Sequence, residues 1–308
     1  MRRTIAAIGR ILVTLGVLIL LFVTYELWGT GIFTARAQTH LKHQFQQELA
    51  QLHKQDNPVV TVPPKKGHRA TTTTINPKLL VAPPEGQALG VIIIKKIGVK
   101  WAVVEGVQLT DIAQGPGHYP GTPLPGQIGN AAIAGHRTTH GAPFYRVDEL
   151  KPGDHIVVET FAGTYTYVVY KKPFAVQPTD FGVVANTPDA ELTLTSCNPR
   201  YSAAERIIIK ARLLRKFSSK PHRPPKRLNG KKIAPPKIKQ LATGLEGQSN
   251  SVVPTVVWGF IVALVGCLWW WAFRHWRHPL TWMMGVIPFL IVLFPFYVYL
   301  ERALPNGY

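Results

Sequence analysis

Glu191-Leu192-Thr193-Leu194-Thr195-Ser196-Cys197 and, nine residues after the cysteine, Arg206-Ile207-Ile208-Ile209 decide how the fold is read. The first run is strand-like and ends on a thiol. The second opens on a guanidinium and continues apolar. Far upstream, Ala131-Ala132-Ile133-Ala134 is another short apolar run, and it ends in Gly135-His136-Arg137-Thr138. A thiol, an imidazole and a guanidinium at strand ends make a nucleophilic site. The other cysteine, Cys267, lies in a run apolar enough for a membrane or a deep core. Cys197 then has no disulfide partner and reads as a reactive thiol.

Residues 86–215 share this pattern of short apolar runs broken by Gly and Pro. Strands are expected at Val91–Ile94, Trp101–Val104, Ala131–Ala134, His155–Thr160, Thr164–Tyr170, Leu192–Ser196 and Arg206–Leu213. Phe161-Ala162-Gly163-Thr164 reads as a hairpin turn, and Leu150-Lys151-Pro152-Gly153-Asp154 as a second turn. Many short strands at close spacing imply a sandwich or barrel. About 130 residues suffice for one core.

Outside this domain the chain is strongly apolar or strongly basic. Its 308 residues carry a formal charge of +19. Residues 1–30 hold an apolar run long enough to span a bilayer, with Arg2, Arg3 and Arg10 at its front. The positive-inside rule puts that end in the cytoplasm. An uncleaved signal anchor fits better than a cleaved signal peptide, because no small-x-small site follows cleanly. Residues 253–273 and 280–300 are two further spans, with Pro288 and Pro295 inside the second. Those prolines leave a re-entrant hairpin open, although membrane helices tolerate proline. The loop 274–279 carries Arg274 and Arg277, so it is expected in the cytoplasm. The middle domain and the tail 301–308 then lie outside.

Two connecting stretches join these parts. Residues 31–85 begin with a helix in which Leu41, Phe45, Leu49 and Leu52 recur at helical spacing. It reads as a short amphipathic stalk; packing on the domain, self-association and lying on the membrane are the alternatives. A Pro- and Thr-rich linker follows, from residue 55 to 84. Residues 216–252 are basic and Pro-rich. Such a run suits nucleic acid, but outside the cell the polyanions are lipid headgroups and wall polymers. A solvated linker is the plain alternative. Membrane lipids are thus an expected partner and nucleic acid is not.

The run from Gly115 to Thr138, with Gly117-His118-Tyr119-Pro120 and Ala134-Gly135-His136-Arg137, closely resembles the sortases, particularly those of class E from actinobacteria. So does Thr193-Leu-Thr-Ser-Cys197 followed by Arg206 at the next strand. One departure is Ser196, where the family more often has Thr. The resemblance covers residues 86–214. It implies a sortase-type closed β-barrel, mainly β, with Cys197, His136 and Arg206 together at one end. It also implies cleavage of a Leu-Ala/Pro-x-Thr-Gly sorting motif between Thr and Gly. The acyl group passes through a Cys197 thioester to an amine of a peptidoglycan precursor. His136 then acts as acid and base, and Arg206 holds the oxyanion. The partners implied are secreted proteins with C-terminal sorting signals. Tyr119 matches the position linked with preference for Ala in the motif. His118, Thr195, Ser196 and Arg200 are expected to help bind substrate.

Rivals for these roles differ in local setting. His118 stands in a Pro/Gly loop, His140 lies close to His136, and His155 enters a strand. Arg200 sits in the turn Asn198-Pro199-Arg200, whereas Arg206 enters a strand that fixes it better. No cluster has metal-ligand spacing, and no cofactor is expected. A hydrolase with the same residues and water as acceptor is the main alternative, and a pilin-polymerising sortase is another. A non-enzymatic membrane scaffold would not need Cys197, His136 and Arg206 together.

Overall fold

A computed structural model describes residues 2–54, 59–62, 72–75, 77–225, 227–228, 231–232, 251–273 and 285–303. The chain divides into two compact units, one of residues 26–244 and one of residues 1–25 with 245–307. The loop expected at 274–279, nearly half of the 55–84 linker and most of the 216–252 linker lie outside the described residues.

The main sheet of the first unit has nine strands: β1 (Ala88–Ile94), β2 (Val99–Glu105), β3 (Gly117–His118), β4 (Gly129–Ala134), β5 (His155–Thr160), β6 (Gly163–Val169), β7 (Phe174–Val176), β8 (Ala190–Asn198) and β9 (Glu205–Leu213). Eight of them close a barrel in the order β8-β4-β3-β2-β1-β5-β6-β9, with β9 pairing back onto β8. The ninth, β7, adds to the free half of β9. Pairing is antiparallel except for β8 with β4 and β2 with β3. Closure leaves most of the sheet without open edges. Ile92, Ile94, Ile133, Ile156, Tyr165, Leu192, Leu194 and Ile209 fill the interior. Every strand read from the apolar runs is present, with each end within three residues of the expected one. β3 and β7 are too short to show a period of two.

The helix after the first apolar run is not a free stalk. Helix α2 (Thr30–Lys54) lies on the barrel, with Leu41 1% and Phe45 3% exposed against Ala88, Val91, Ala102 and Val104. Phe45 also meets Phe161, with ring centroids 4.7 Å apart. Polar contacts fix its register. The Gln38 amide donates to Ala102 O at 3.0 Å and accepts from Ala102 N–H at 2.7 Å. The periodicity marked one apolar face correctly; the barrel wall is the surface that covers it.

The second unit contains α1 (Arg2–Thr24), α3 (Val252–Phe273) and α4 (Val286–Ala303), each long and apolar enough to cross a membrane. Pro288 falls in the first turn of α4, where no helical hydrogen bond is lost, and Pro295 sits within an unbroken helix. Tyr297 of α4 donates to Leu18 O at 2.7 Å and packs edge-on against Phe22. The C-terminal helix thus packs on the N-terminal one. Tyr25 adds a hydrogen bond to Glu301 at 3.0 Å.

Removing the Leu41 side chain tests the docking of α2. Leu41→Ala should destabilise the barrel by about 2–5 kcal/mol, the usual cost of such a cavity. Thermal unfolding of the full chain in detergent measures this. An unchanged midpoint would mean that α2 contributes nothing to the barrel.

Candidate active site

Strand alternation sorts the residues of β8 and β9. Leu192, Leu194, Ile207, Ile209 and Ala211 point into the core. Thr193, Thr195 and Cys197 on β8, with Arg206, Ile208 and Lys210 on β9, therefore face outward. Cys197 and Arg206 are directly paired across the two strands. Side chains so paired lie on one face within contact range. Ser196 points the other way, into the barrel wall.

The residues on either side of His136 are held at the Cys197 end of β8. β4 and β8 run parallel, so both leave the barrel at the same end. Gly135 N–H donates to Thr195 O at 3.1 Å, and Ser196 Oγ donates to Gly135 O at 2.7 Å. Arg137 Nη1 then donates to Cys197 O at 3.3 Å. His136 is bracketed by residues that are both bonded to the end of β8. Gly135 must be small, because an added Cβ would stand 2.6 Å from the Phe144 ring. The His136 ring has Nδ1 3.1 Å from Thr139 Oγ1 and stacks on His140, with centroids 4.5 Å apart. Its Nε2 is buried and has no hydrogen-bond partner among the described residues.

Arg137 follows His136 and sits deeper in the fold than its place in the motif suggests. Its guanidinium is nearly buried, donates to Tyr145 O at 2.9 Å and pairs with Asp148 at 2.9 Å. Arg200 holds the same carboxylate at 3.0 Å and lies over the Tyr145 ring, 4.4 Å from its centroid. Arg200 is thus tied to Asp148, while Arg206 is the arginine paired with Cys197. Arg206 itself donates to Ala203 O and Glu205 O, each at 3.0 Å.

Tyr119 lies beside the outward face of β8, its hydroxyl 3.0 Å from Thr195 Oγ1. It packs with Ala132, Phe181, Val183 and Val184. Tyr119, Thr195, Cys197 and Arg206 thus lie together along one wall. His118 is placed elsewhere. Its ring is 0% exposed, with Nδ1 2.7 Å from Glu105 and Nε2 3.1 Å from Pro123 O. Burial opposes its charge, but the Glu105 carboxylate and the Pro123 carbonyl outweigh that and raise its pKa. His118 ties β3 to β2 beneath the Tyr119 loop. Ser196 likewise spends its hydroxyl on Gly135. His155 is exposed at the start of β5.

Cys197 and His136 are both held toward neutrality. Burial pushes the Cys197 thiol up, and Arg206 and Arg137 pull it partly back. Burial, then repulsion from His140, holds His136 well below the ordinary imidazole value. Both shifts favour the uncharged form of the group concerned.

Residues 92–214 match the sortase domain family. Sortase SrtE1 of Streptomyces coelicolor is 29% identical over 218 residues, covering 66% of this chain and 55% of that protein. Sortase D of Bacillus subtilis is 31% identical over 133 residues, covering 43% of this chain and 66% of that protein. The chain thus spans little more than half the length of the first of these relatives. Sortase E of Streptomyces avermitilis, a solved structure, is 34% identical, covers 43% of this chain and 91% of its own, and superposes with a TM-score of 0.40.

Alkylation of Cys197 reads its ionisation directly. The rate should climb with an inflection above about pH 8.5, the ordinary thiol value. Arg206→Ala should move that inflection further up and slow alkylation at pH 7.5 by roughly two- to tenfold, up to one pKa unit. Site-resolved mass spectrometry separates Cys197 from Cys267. An inflection below pH 7.5 would contradict a thiol held up by burial.

Proposed function

We propose, from the premise that residues 92–214 are a sortase domain of the class E-like kind, that this chain is a membrane-anchored cysteine transpeptidase. It cleaves a Leu-Ala/Pro-x-Thr-Gly motif between Thr and Gly and joins the Thr carbonyl to an amine of a cell-wall precursor. The observation that carries this reading is the pairing of Cys197 with Arg206 at the barrel end to which the His136 loop is bonded. His136 Nε2 has no hydrogen-bond partner among the described residues.

The chemistry follows from those positions. Cys197 Sγ attacks the Thr carbonyl while its proton passes to His136 Nε2. The tetrahedral oxyanion is held by Arg206, which stays charged at any working pH. Collapse breaks the Thr–Gly bond, and His136 returns the proton to the departing Gly amine. An incoming amine then attacks the thioester, gives its proton to His136, and Cys197 leaves. Because thiol and imidazole are shifted apart, activity should be flat across neutral pH. It falls only as pH drops through the lowered His136 value or rises through the raised Cys197 value.

The three apolar helices support membrane anchoring. Arg2, Arg3 and Arg10 before the first span favour a cytoplasmic N-terminus and an extracytoplasmic barrel. The substrates would be secreted proteins with C-terminal sorting signals, and the acceptor a peptidoglycan precursor amine. The Tyr119–Thr195 wall beside Cys197 is where the motif residue before x would lie.

The test uses the full chain in detergent, since α2 belongs to the barrel unit. Leu-Ala-x-Thr-Gly and Leu-Pro-x-Thr-Gly peptides are supplied with an excess of glycine-type or diaminopimelate-type amine, and products are weighed by mass spectrometry. A joined product that disappears in Cys197→Ala is expected, with the Ala peptide ahead. Cleavage without joining would favour the hydrolase. No Cys197-dependent reaction with either peptide would overturn the assignment.

A further inference from the structure

The loop that carries His136 is held in a costly shape. His140 and Ala142 have φ of 52° and 46°, on either side of Gly141 at 69°. Only Gly141 adopts that region freely; a side chain there would also meet Trp101, 2.6 Å from an added Cβ. Left-handed residues with side chains persist where their surroundings over-determine them. Part of that determination is local: Ala142 N–H donates to Thr139 O at 2.8 Å, and Phe144 N–H to His136 O at 3.1 Å. One hydrogen bond comes from another element. His140 N–H donates to Thr30 Oγ1, in the first turn of α2, at 3.1 Å. Thr30 is buried, and its hydroxyl proton is already given to Glu26 O at 2.7 Å. Its oxygen is therefore turned to accept.

His140 in turn bears on His136. The two imidazoles stack with 24° between their planes. Thr139 Oγ1 lies between their Nδ1 atoms, 3.1 Å from His136 and 3.3 Å from His140. A hydroxyl has one proton, so it donates to one ring and accepts from the other. The bond at Nδ1 settles which nitrogen of His136 carries the proton, and so the state of Nε2.

We propose that Thr30 and His140 are positioning residues for His136. The first turn of α2 fixes the His140 backbone, and the stacked His140 ring fixes the plane of the reacting imidazole. This rests on the transpeptidase reading for its kinetic consequence, though not for its spectroscopic one. It extends the site beyond the barrel strands to a helix whose first turn starts five residues after α1.

A twin contact provides the control. One turn along α2, Thr34 Oγ1 donates to Ala113 O at 2.8 Å, so it too joins the helix to the barrel unit. Thr30→Val and Thr34→Val each remove one such hydroxyl with little change of shape. Both are made in the full chain in detergent, with Thr30→Ser and His140→Ala beside them. Thr30→Val and His140→Ala should lower kcat about tenfold with KM nearly unchanged, a loss that a slight misplacement of a reacting group produces. Thr30→Ser should retain kcat, and so should Thr34→Val even where its melting point falls. Equal losses in the two valine variants, or an unchanged kcat in Thr30→Val, would overturn the proposal. The imidazole 15N shifts of His136, measured at one pH, stand apart from turnover. They should move in Thr30→Val and stay in place in Thr34→Val. Should the wild type show no Cys197-dependent turnover, the transpeptidase reading fails and these shifts alone decide the positioning claim. Shifts unmoved in Thr30→Val would overturn it.

Discussion

The site depends on the grip that the end of β8 keeps on the chain leaving β4. Thr195 accepts from Gly135 N–H, Ser196 donates to Gly135 O, and Cys197 O accepts from Arg137. The two strands are parallel, so the chain after β4 emerges where Cys197 lies. β9 runs back antiparallel from that same end and brings Arg206 opposite the thiol. The strand order thus brings the Cys197–Arg206 pair and the distant His136 loop to the same barrel end. Ser196 shows the division of labour. Its hydroxyl holds the loop from the inner side of the strand, while its neighbours Thr195 and Cys197 face outward. The Thr more common in the family would place the same oxygen there.

A second constraint is electrical. The chain is highly basic overall, yet the thiol and imidazole are both kept toward their neutral forms by burial. Two arginines then limit how far the thiol is pushed. Arg206 acts across the strand pair, and Arg137 acts from a nearly buried position secured by Asp148.

Much of this was legible in the sequence. The apolar runs ending in Cys197, His136 and opening at Arg206 announced both the strands and the residues at their ends. The closed barrel followed from the family resemblance. Other parts were hidden for physical reasons. Leu41 and Phe45 declared an apolar helix face, but periodicity does not say what covers it. The Arg137–Asp148–Arg200 cluster and the Glu105–His118 pair join residues that no local pattern links. His118 looked like a groove residue from its Pro/Gly loop, and the structure shows its ring bonded on both sides in the interior. β3 is two residues long and shows only as a pairing partner.

The proposed reaction passes through one covalent state, and weighing that state tests the account most directly. The full chain is mixed with a Leu-Ala-x-Thr-Gly peptide, the amine is withheld, and the protein is weighed intact after a rapid acid quench. The account predicts an adduct equal to the acyl half of the peptide. It should map to Cys197, disappear on addition of the amine, and be missing from Cys197→Ala. Peptide cleavage at an undiminished rate in Cys197→Ala, or an adduct on any other residue, would contradict it.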